Sequence, residues 1–221
     1  MFSGIIRHTG VIKKNSGNPA SGLSIQIESA LFDKELMEGD SVAVSGVCLT
    51  ISEIGSGIAS FHVGSETLRV TNLKNQRPGS VIHLEPSLRL GESIDGHFVY
   101  GHIDTLARFI SSSLEGQTYR FIFSVPLRFK KFLVSKGSVA IEGVSLTVGE
   151  VFIFNDLDVS LKESLVGEVN PEENFYFSVY IIPHTLNNTK FSSIISGEIL
   201  NLEIDPICRY AVNAIENQMT G

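Results

Sequence analysis

Two cysteines, no cluster of basic residues and no long apolar run bound what this 221-residue chain can be. The longest apolar stretches, such as Phe121-Ile-Phe and Val179-Tyr-Ile-Ile, fall far short of the roughly 20 residues that span a bilayer, so no membrane partner is expected. The N-terminus lacks a basic stretch followed by an apolar one, and no secretory signal is visible. With only Cys48 and Cys208 there is no disulfide framework, and a cytoplasmic protein with free thiols is the natural reading. A net charge of −7 without a basic patch excludes a nucleic-acid surface, which needs cations to displace counterions. Hydrophobic content of 43% and charged content of 19% are globular values, which rules out wholesale disorder.

What the chain does have is one stretch written twice. Residues 41–51 read Ser-Val-Ala-Val-Ser-Gly-Val-Cys-Leu-Thr-Ile, and residues 138–148 read Ser-Val-Ala-Ile-Glu-Gly-Val-Ser-Leu-Thr-Val. Seven of the eleven positions are identical, and only Ser45 against Glu142 differs in shape and charge. The register holds at an offset of 97 from Gly4 on Gly101 to Glu53 on Glu150. It resumes at an offset of 118, with Glu66-Thr-Leu on His184-Thr-Leu and the segment from Gly79 to Glu85 on that from Gly197 to Glu203. A period near 100 residues is a duplicated domain rather than a solenoid. The two units cover 1–97 and 98–205, each long enough to bury a core. About 21 extra residues lie between Glu150 and Phe175 of the second, near 153–173.

Most segments alternate or run apolar for four to eight residues and then break at Gly, Asn or Pro, which predicts short antiparallel strands in a barrel or sandwich. Short helical turns fit Ala30–Met37 and Pro126–Leu133. Gly46 and Gly143 interrupt strand-like runs, which marks a bulge, a close backbone approach or a hairpin turn with positive φ. Past Asp205-Pro206, an N-cap and first-turn proline, Ile207, Tyr210, Ala211, Ala214 and Ile215 fall on one face of a helix over 206–218. It has no counterpart in the first unit and is too short to stand alone, so a subunit interface is the expected berth.

After duplication, the positions where the copies differ are informative. Alternation puts Cys48 with Thr50, and Ser145 with Thr147, on one strand face each: a small polar pair for a cavity, or a solvated face. Cys48 is either a nucleophile awaiting a nearby cation or a small buried apolar side chain. His97, His102 and Asp104 invite a metal reading, but the histidines are five apart and no Cys or Glu cluster completes a zinc set. Proton transfer or ligand hydrogen bonding suits a histidine better there. Glu66 against His184 could each grip a polyol or ring amide, or sit on the surface.

The motifs Met1-Phe-Ser-Gly-Ile-Ile, Gly46-Val-Cys-Leu-Thr, Glu66-Thr-Leu-Arg and Gly96-His-Phe-Val-Tyr-Gly-His-Ile-Asp resemble those of the riboflavin synthases. So do Lys136-Gly-Ser, Gly143-Val-Ser-Leu-Thr-Val, Ile182-Pro-His-Thr-Leu and Asn201-Leu-Glu-Ile-Asp, in order along nearly the whole chain. The resemblance implies an all-β fold: a tandem repeat of two similar six-stranded antiparallel Greek-key barrels plus a C-terminal helix that serves oligomerisation. It implies a homotrimer with each active site between neighbouring subunits, and lumazine synthase as a further partner. The implied reaction, at the last step of riboflavin biosynthesis, is dismutation of two 6,7-dimethyl-8-ribityllumazine molecules, without cofactor or metal. A four-carbon unit passes from one to the other, giving riboflavin and 5-amino-6-ribitylaminouracil. Two diverged copies of one pocket suit two copies of one substrate held face to face, where proximity supplies much of the acceleration.

Carried over by position, the first pocket takes Gly4, Ile5, Ile6, Cys48, Leu49, Thr50, His62, Val63, Gly64, Ser65, Glu66 and Thr67. The second takes Gly101, His102, Ile103, Lys136, Ser145, Leu146, Thr147, Ile182, Pro183, His184, Thr185, Leu186 and Asn187. Phe2, Ser41, Cys48, His102 and Thr147 match the family's activity-sensitive positions. The lumazine C7-methyl is acidic because its carbanion delocalises into the ring, so a modest base suffices. On that chemistry His102, Ser145 and Thr147 handle the proton, and Cys48 or a water adds to the acceptor ring. Glu142 departs from the family's usual Asp. The acidic insertion, with Asp156, Asp158, Glu163, Glu168, Glu172 and Glu173, reads as an elongated solvated hairpin or a shield over the second pocket. From another class, a non-catalytic antenna protein of the same fold would bind lumazine or flavin with one pocket decayed; here both sets are intact.

Overall fold

The computed structural model describes residues 1–33, 36–165 and 170–219. Six strands make the first closed barrel: β1 (His8–Asn18), β2 (Gly22–Glu28), β3 (Ser41–Val44), β4 (Val47–Gly55), β5 (Ile58–Val63) and β6 (Val81–Pro86). Around the wall they run β1-β2-β5-β4-β3-β6, a Greek-key order, all neighbours antiparallel. The second barrel repeats that order with β7 (Thr105–Glu115), β8 (Thr118–Pro126), β9 (Ser138–Ile141), β10 (Val144–Ile153), β11 (Asn174–Ile181) and β12 (Ile199–Ile204). The expected turns at Ala30 and Pro126 are 3-10 turns at Ala30–Asp33 and Leu127–Phe132; Lys34 and Glu35 lie outside the described residues. A short helix follows β5 and β11 at matched places, α1 (Ser65–Val70) and α3 (Pro183–Asn188), and α4 (Pro206–Met219) ends the chain.

Alternation on the strands fills both barrels. Ile12, Ile25, Val42, Leu49, Ile51 and Phe61 point into the first, while Phe109, Phe121, Phe123 and Phe177 stack through the second. A barrel of six strands is narrower than the eight-stranded kind that just admits a small ligand, so nothing binds inside. Sites must lie on the outer walls.

Two of the three readings of the paired glycines hold, the hairpin turn and the close approach. Ser45-Gly46 and Glu142-Gly143 turn their hairpins with φ of 45° and 80°, and of 52° and 79°. This is the left-handed pair that a two-residue hairpin loop demands. The two glycines also meet: a side-chain carbon on Gly46 would lie 2.5 Å from Gly143 N. They mark a pseudo-twofold axis between the barrels. Phe2 and Val99, 97 apart, form an antiparallel bridge across it (Phe2 N to Val99 O, 2.7 Å; Val99 N to Phe2 O, 3.1 Å) and pack on Ala43 and Ala140, also 97 apart.

Where the copies differ at this axis, the differences complete one another. Glu142, fully buried, accepts from Asn72 Nδ2 and Asn201 N at 2.7 Å and pairs with Lys190 Nζ at 2.8 Å. Asn201 Nδ2 donates to Ser45 O (2.9 Å), and Asn201 Oδ1 accepts from Asn72 N (2.8 Å). At the matched place His83 does the same: Nδ1 donates to Glu142 O (2.9 Å) and Nε2 accepts from Lys190 N (2.8 Å). A carbonyl can only accept and an amide only donate, so one neutral tautomer is fixed.

In its described residues the insertion forms turns and a short helix rather than an elongated hairpin. Its 3-10 turn (Phe154–Asp156) and helix α2 (Val159–Ser164) bring Leu157, Leu161 and Leu165 onto Ile110, Ile122 and Tyr176, on the outer wall of β7, β8 and β11. Apolar residues spaced among the acidic ones made this a small satellite core. Glu168 lies outside the described residues.

Gly143→Ala should cost about 2–4 kcal/mol in urea unfolding, combining left-handed strain with forced clearance at the axis. Gly116→Ala, at φ 63° with nothing within 4 Å, should cost about 1 kcal/mol. Equal losses would deny the contact any weight. Burial holds His83 down at about 4, against the pull of Glu142. The unfolded imidazole titrates near 6.5, so the unfolded state binds more protons from there down to about 4, and stability falls with pH across that window by on the order of 3 kcal/mol. Glu203, pushed up to about 7 by burial, acts oppositely as pH rises from 4.5. His83→Asn copies the bonding of Asn201 without the titration; its stability relative to the parent should climb as pH drops from 6.5 to 4, and a constant difference refutes the assignment.

Candidate functional site

Two glycine segments decide where the polar pairs sit. Glu85 on β6 accepts from Ser3 N and Oγ (2.8 Å each) and Gly4 N (3.0 Å). Glu203 on β12 accepts from Tyr100 N and Gly101 N (2.8 Å each). The carbonyls of the same segments reach the other barrel: Ser145 N donates to Gly4 O (2.8 Å), and Cys48 N to Gly101 O (3.0 Å). Each segment thus runs from the carboxylate of its own barrel to the polar strand of the other. Both glycines have φ of 77°, and a side-chain carbon on either would stand 2.6 Å from the Cβ of Ser145 or Cys48.

This corrects the expected grouping. Gly101, His102 and Ile103 belong beside Cys48, with Ile103 packed on the first core. Gly4, Ile5 and Ile6 belong beside Ser145, with Ile6 inside the second core. Sequence order attached each segment to the barrel that follows it, whereas its carbonyl crosses over. Within one chain His102 is therefore on the side of Cys48, not of Ser145 and Thr147.

Other expected residues divide by strand face. Cys48 and Ser145 are half-buried, Thr50 and Thr147 exposed, all on outer walls; Ser41 pairs across from Thr50. Leu49, Val63 and Leu146 point into barrel cores, which leaves only their backbone to a ligand. Phe2 is fully buried in the bridge between the barrels and presents no surface to a ligand. His62, Gly64, Ser65 and Glu66 are exposed at the start of α1, with Thr67 half-buried; Glu66 pairs with Arg69, whose guanidinium holds its carboxyl below the usual range. Ile182, Pro183, His184 and Asn187 are exposed around α3, Thr185 is half-buried, and Leu186 packs on the second core. Lys136 is exposed, at φ 68°.

Sequence reasoning missed Glu85 and Glu203, although their identity in both copies was the available signal. It assigned His97 no place in either pocket. His97 Nδ1 lies 2.7 Å from Ser145 Oγ. Among the described residues no group of three or more His, Cys, Asp or Glu is placed to hold a metal, and no helix is long and apolar enough to cross a membrane.

A lumazine binding domain family model matches twice, over residues 3–87 and 100–205. The chain is 36% identical to the riboflavin synthase of Brucella abortus, over 99% of this chain and all of that one. The chain belongs to the riboflavin synthase family. The enzyme of Chlamydia pneumoniae is 35% identical over 98% of this chain and 96% of its own. Among solved structures, LumP bound to 6,7-dimethyl-8-(1'-D-ribityl) lumazine shares the fold with a TM-score of 0.72, at 18% identity, over 92% of this chain and 99% of LumP. The family's two-domain match coincides with the two barrels and leaves α4 outside.

Removing the carboxylate in Glu203→Ala should loosen Gly101 and raise the rate at which a thiol reagent labels Cys48, by roughly tenfold for ~1.4 kcal/mol of lost hydrogen bonding. The comparison is made in a Cys208→Ser background. Glu85→Ala, acting on the other segment, should leave that rate unchanged; equal acceleration by both would disprove the crossed arrangement.

Proposed function

We propose that this protein is a riboflavin synthase that dismutates two molecules of 6,7-dimethyl-8-ribityllumazine into riboflavin and 5-amino-6-ribitylaminouracil. The observation that carries this reading is the matched pair of outer-wall sites, Cys48 with Gly101 and Ser145 with Gly4, alike in backbone and unlike in side chain. One substrate bound in two roles needs that combination. Two lumazines supply every atom of both products, so no outside oxidant or carbon donor enters.

Each site lies open on a wall, with Thr50 and Thr147 exposed, and covers one face of a flat ring at most. The other face is closed when the first barrel of one subunit meets the second barrel of its neighbour. His102, beside Cys48, then confronts Ser145 and Thr147 of another chain, where the three can share the proton chemistry. Helix α4 leaves Ile207, Tyr210 and Ile215 exposed on its apolar stripe, which suits it to hold a homotrimer. α1 and α3 grip the ribityl chains, with Glu66 in one site and His184 in the other.

A non-catalytic lumazine carrier is the competing reading, favoured by the likeness to LumP. Purified protein incubated with the lumazine decides between them. Riboflavin and the uracil are expected in equal amounts, and His102→Ala should cut the rate by at least roughly tenfold, the scale of one displaced proton-transfer group. Tight binding without riboflavin leaves only the carrier.

A further inference from the structure

The two sites differ most in what stands behind their polar side chains. Ser145 is backed on its inner side: Gly4 lies against its Cβ and backbone, Gly96 leaves no room for a side chain between Ser3 O and Ser145, and His97 Nδ1 sits 2.7 Å from its Oγ. His97 is held in turn, its backbone N donating to Ser3 O at 3.2 Å, two residues from the Phe2–Val99 bridge. Its Nε2 is buried without a partner among the described residues. An imidazole so placed satisfies only one of its nitrogens, through Ser145, and a buried nitrogen left unmatched costs stability. A structural histidine normally finds two partners, as His83 does. Cys48 has no such backing imidazole among the described residues: His102, on its side, is exposed, its ring tilted against Tyr100 with centroids 6.2 Å apart.

We infer that His97 is the positioning residue of the proton-accepting site, and that the C7-methyl proton of the lumazine is taken at the second barrel by Ser145 backed by His97. The inference rests on the lumazine reading above and assigns its two sites unlike roles. The methyl C–H bond breaks, its proton passes to Ser145 Oγ as the hydroxyl proton moves to His97 Nδ1, and the electron pair stays in the ring system. A hydroxyl alone is far too weak a base, and the imidazole behind it supplies the missing basicity. Accepting at Nδ1 requires neutral imidazole. Burial favours that state, lowering His97 against the pull of Asp205 at the start of α4; Glu85, which accepts from Ser3, is the other ionisable group tied to this corner.

The test follows deuterium exchange into the lumazine C7-methyl by proton NMR, above the enzyme-free rate, together with riboflavin formation and the pH profile of kcat/KM. His97→Gln should slow exchange at least roughly tenfold with lumazine affinity unchanged, and should erase the fall of kcat/KM on the acid side, where His97 takes its proton. Ser145→Ala should do the same, and the double variant should lose nothing more, because the pair acts as a unit. If His97→Gln does not fold, the acid limb of Ser145→Ala gives the answer. Parental exchange and an intact acid limb in either variant, or losses that add in the double, overturn the inference. Exchange without riboflavin in the parent leaves it standing while sinking the dismutation; absence of both sinks the two together.

Discussion

The structure depends on two short segments that each belong to both barrels. Gly4 and Gly101 give their amides to a carboxylate of one barrel and their carbonyls to a strand of the other. A buried carboxylate accepting two or three amide bonds is costly to leave unmatched, so each segment is fixed at both ends. That fixing sets the distance between barrels, seats Phe2 between Ala43 and Ala140, and lays one backbone against Cys48 and another against Ser145. Fold and sites are the same contact seen from two sides.

Duplication alone would make that junction symmetric, and it is not. Identical halves would set Ser45, Asn72 and His83 against copies of themselves. Instead Glu142, Lys190 and Asn201 stand opposite, and every donor meets an unlike acceptor. A buried ion pair is weak evidence for stability, since its desolvation offsets its attraction, but losing either partner strands a charge. Both partners belong to the second unit, so what discriminates unlike from like barrels is the set of bonds that cross the axis: Asn72 to Glu142 and Asn201, Asn201 to Ser45 O, and His83 to the backbones of Glu142 and Lys190. The Glu142 carboxylate reaches Asn72 across the axis while it pairs with Lys190 of its own unit.

How much of this was legible depended on whether the information was local. The barrels were, because alternation and the two-residue turns at Gly46 and Gly143 repeat in register. The apolar stripe of α4 was, from its spacing, and its Ile207, Tyr210 and Ile215 are exposed. The crossing of Gly4 and Gly101 was not, since linear order carries no sign of which barrel a carbonyl meets. Acidic residues dominated the reading of the insertion, although Leu157, Leu161 and Leu165 at every fourth place marked its inner face. The partner of His97 was not legible either, since only the fold brings Ser145 to it.

The filled interiors explain why so much rests on the outside. Six strands closed around Phe121, Phe123 and Phe177 leave no lumen, so a ligand can reach only the walls. A wall presents a small polar pair and a glycine backbone, and a flat heterocycle laid against it keeps one face in water. Reactions that form a carbanion are penalised there, because water screens the fixed dipoles and supplies protons. A second wall of similar chemistry removes that water and brings the second ring. The chain carries two such walls, turned outward by a shared junction, and a helix with exposed apolar side chains. On the function proposed above, the closing surface is the unlike wall of another copy of the chain, which makes assembly part of the chemistry rather than an addition to it.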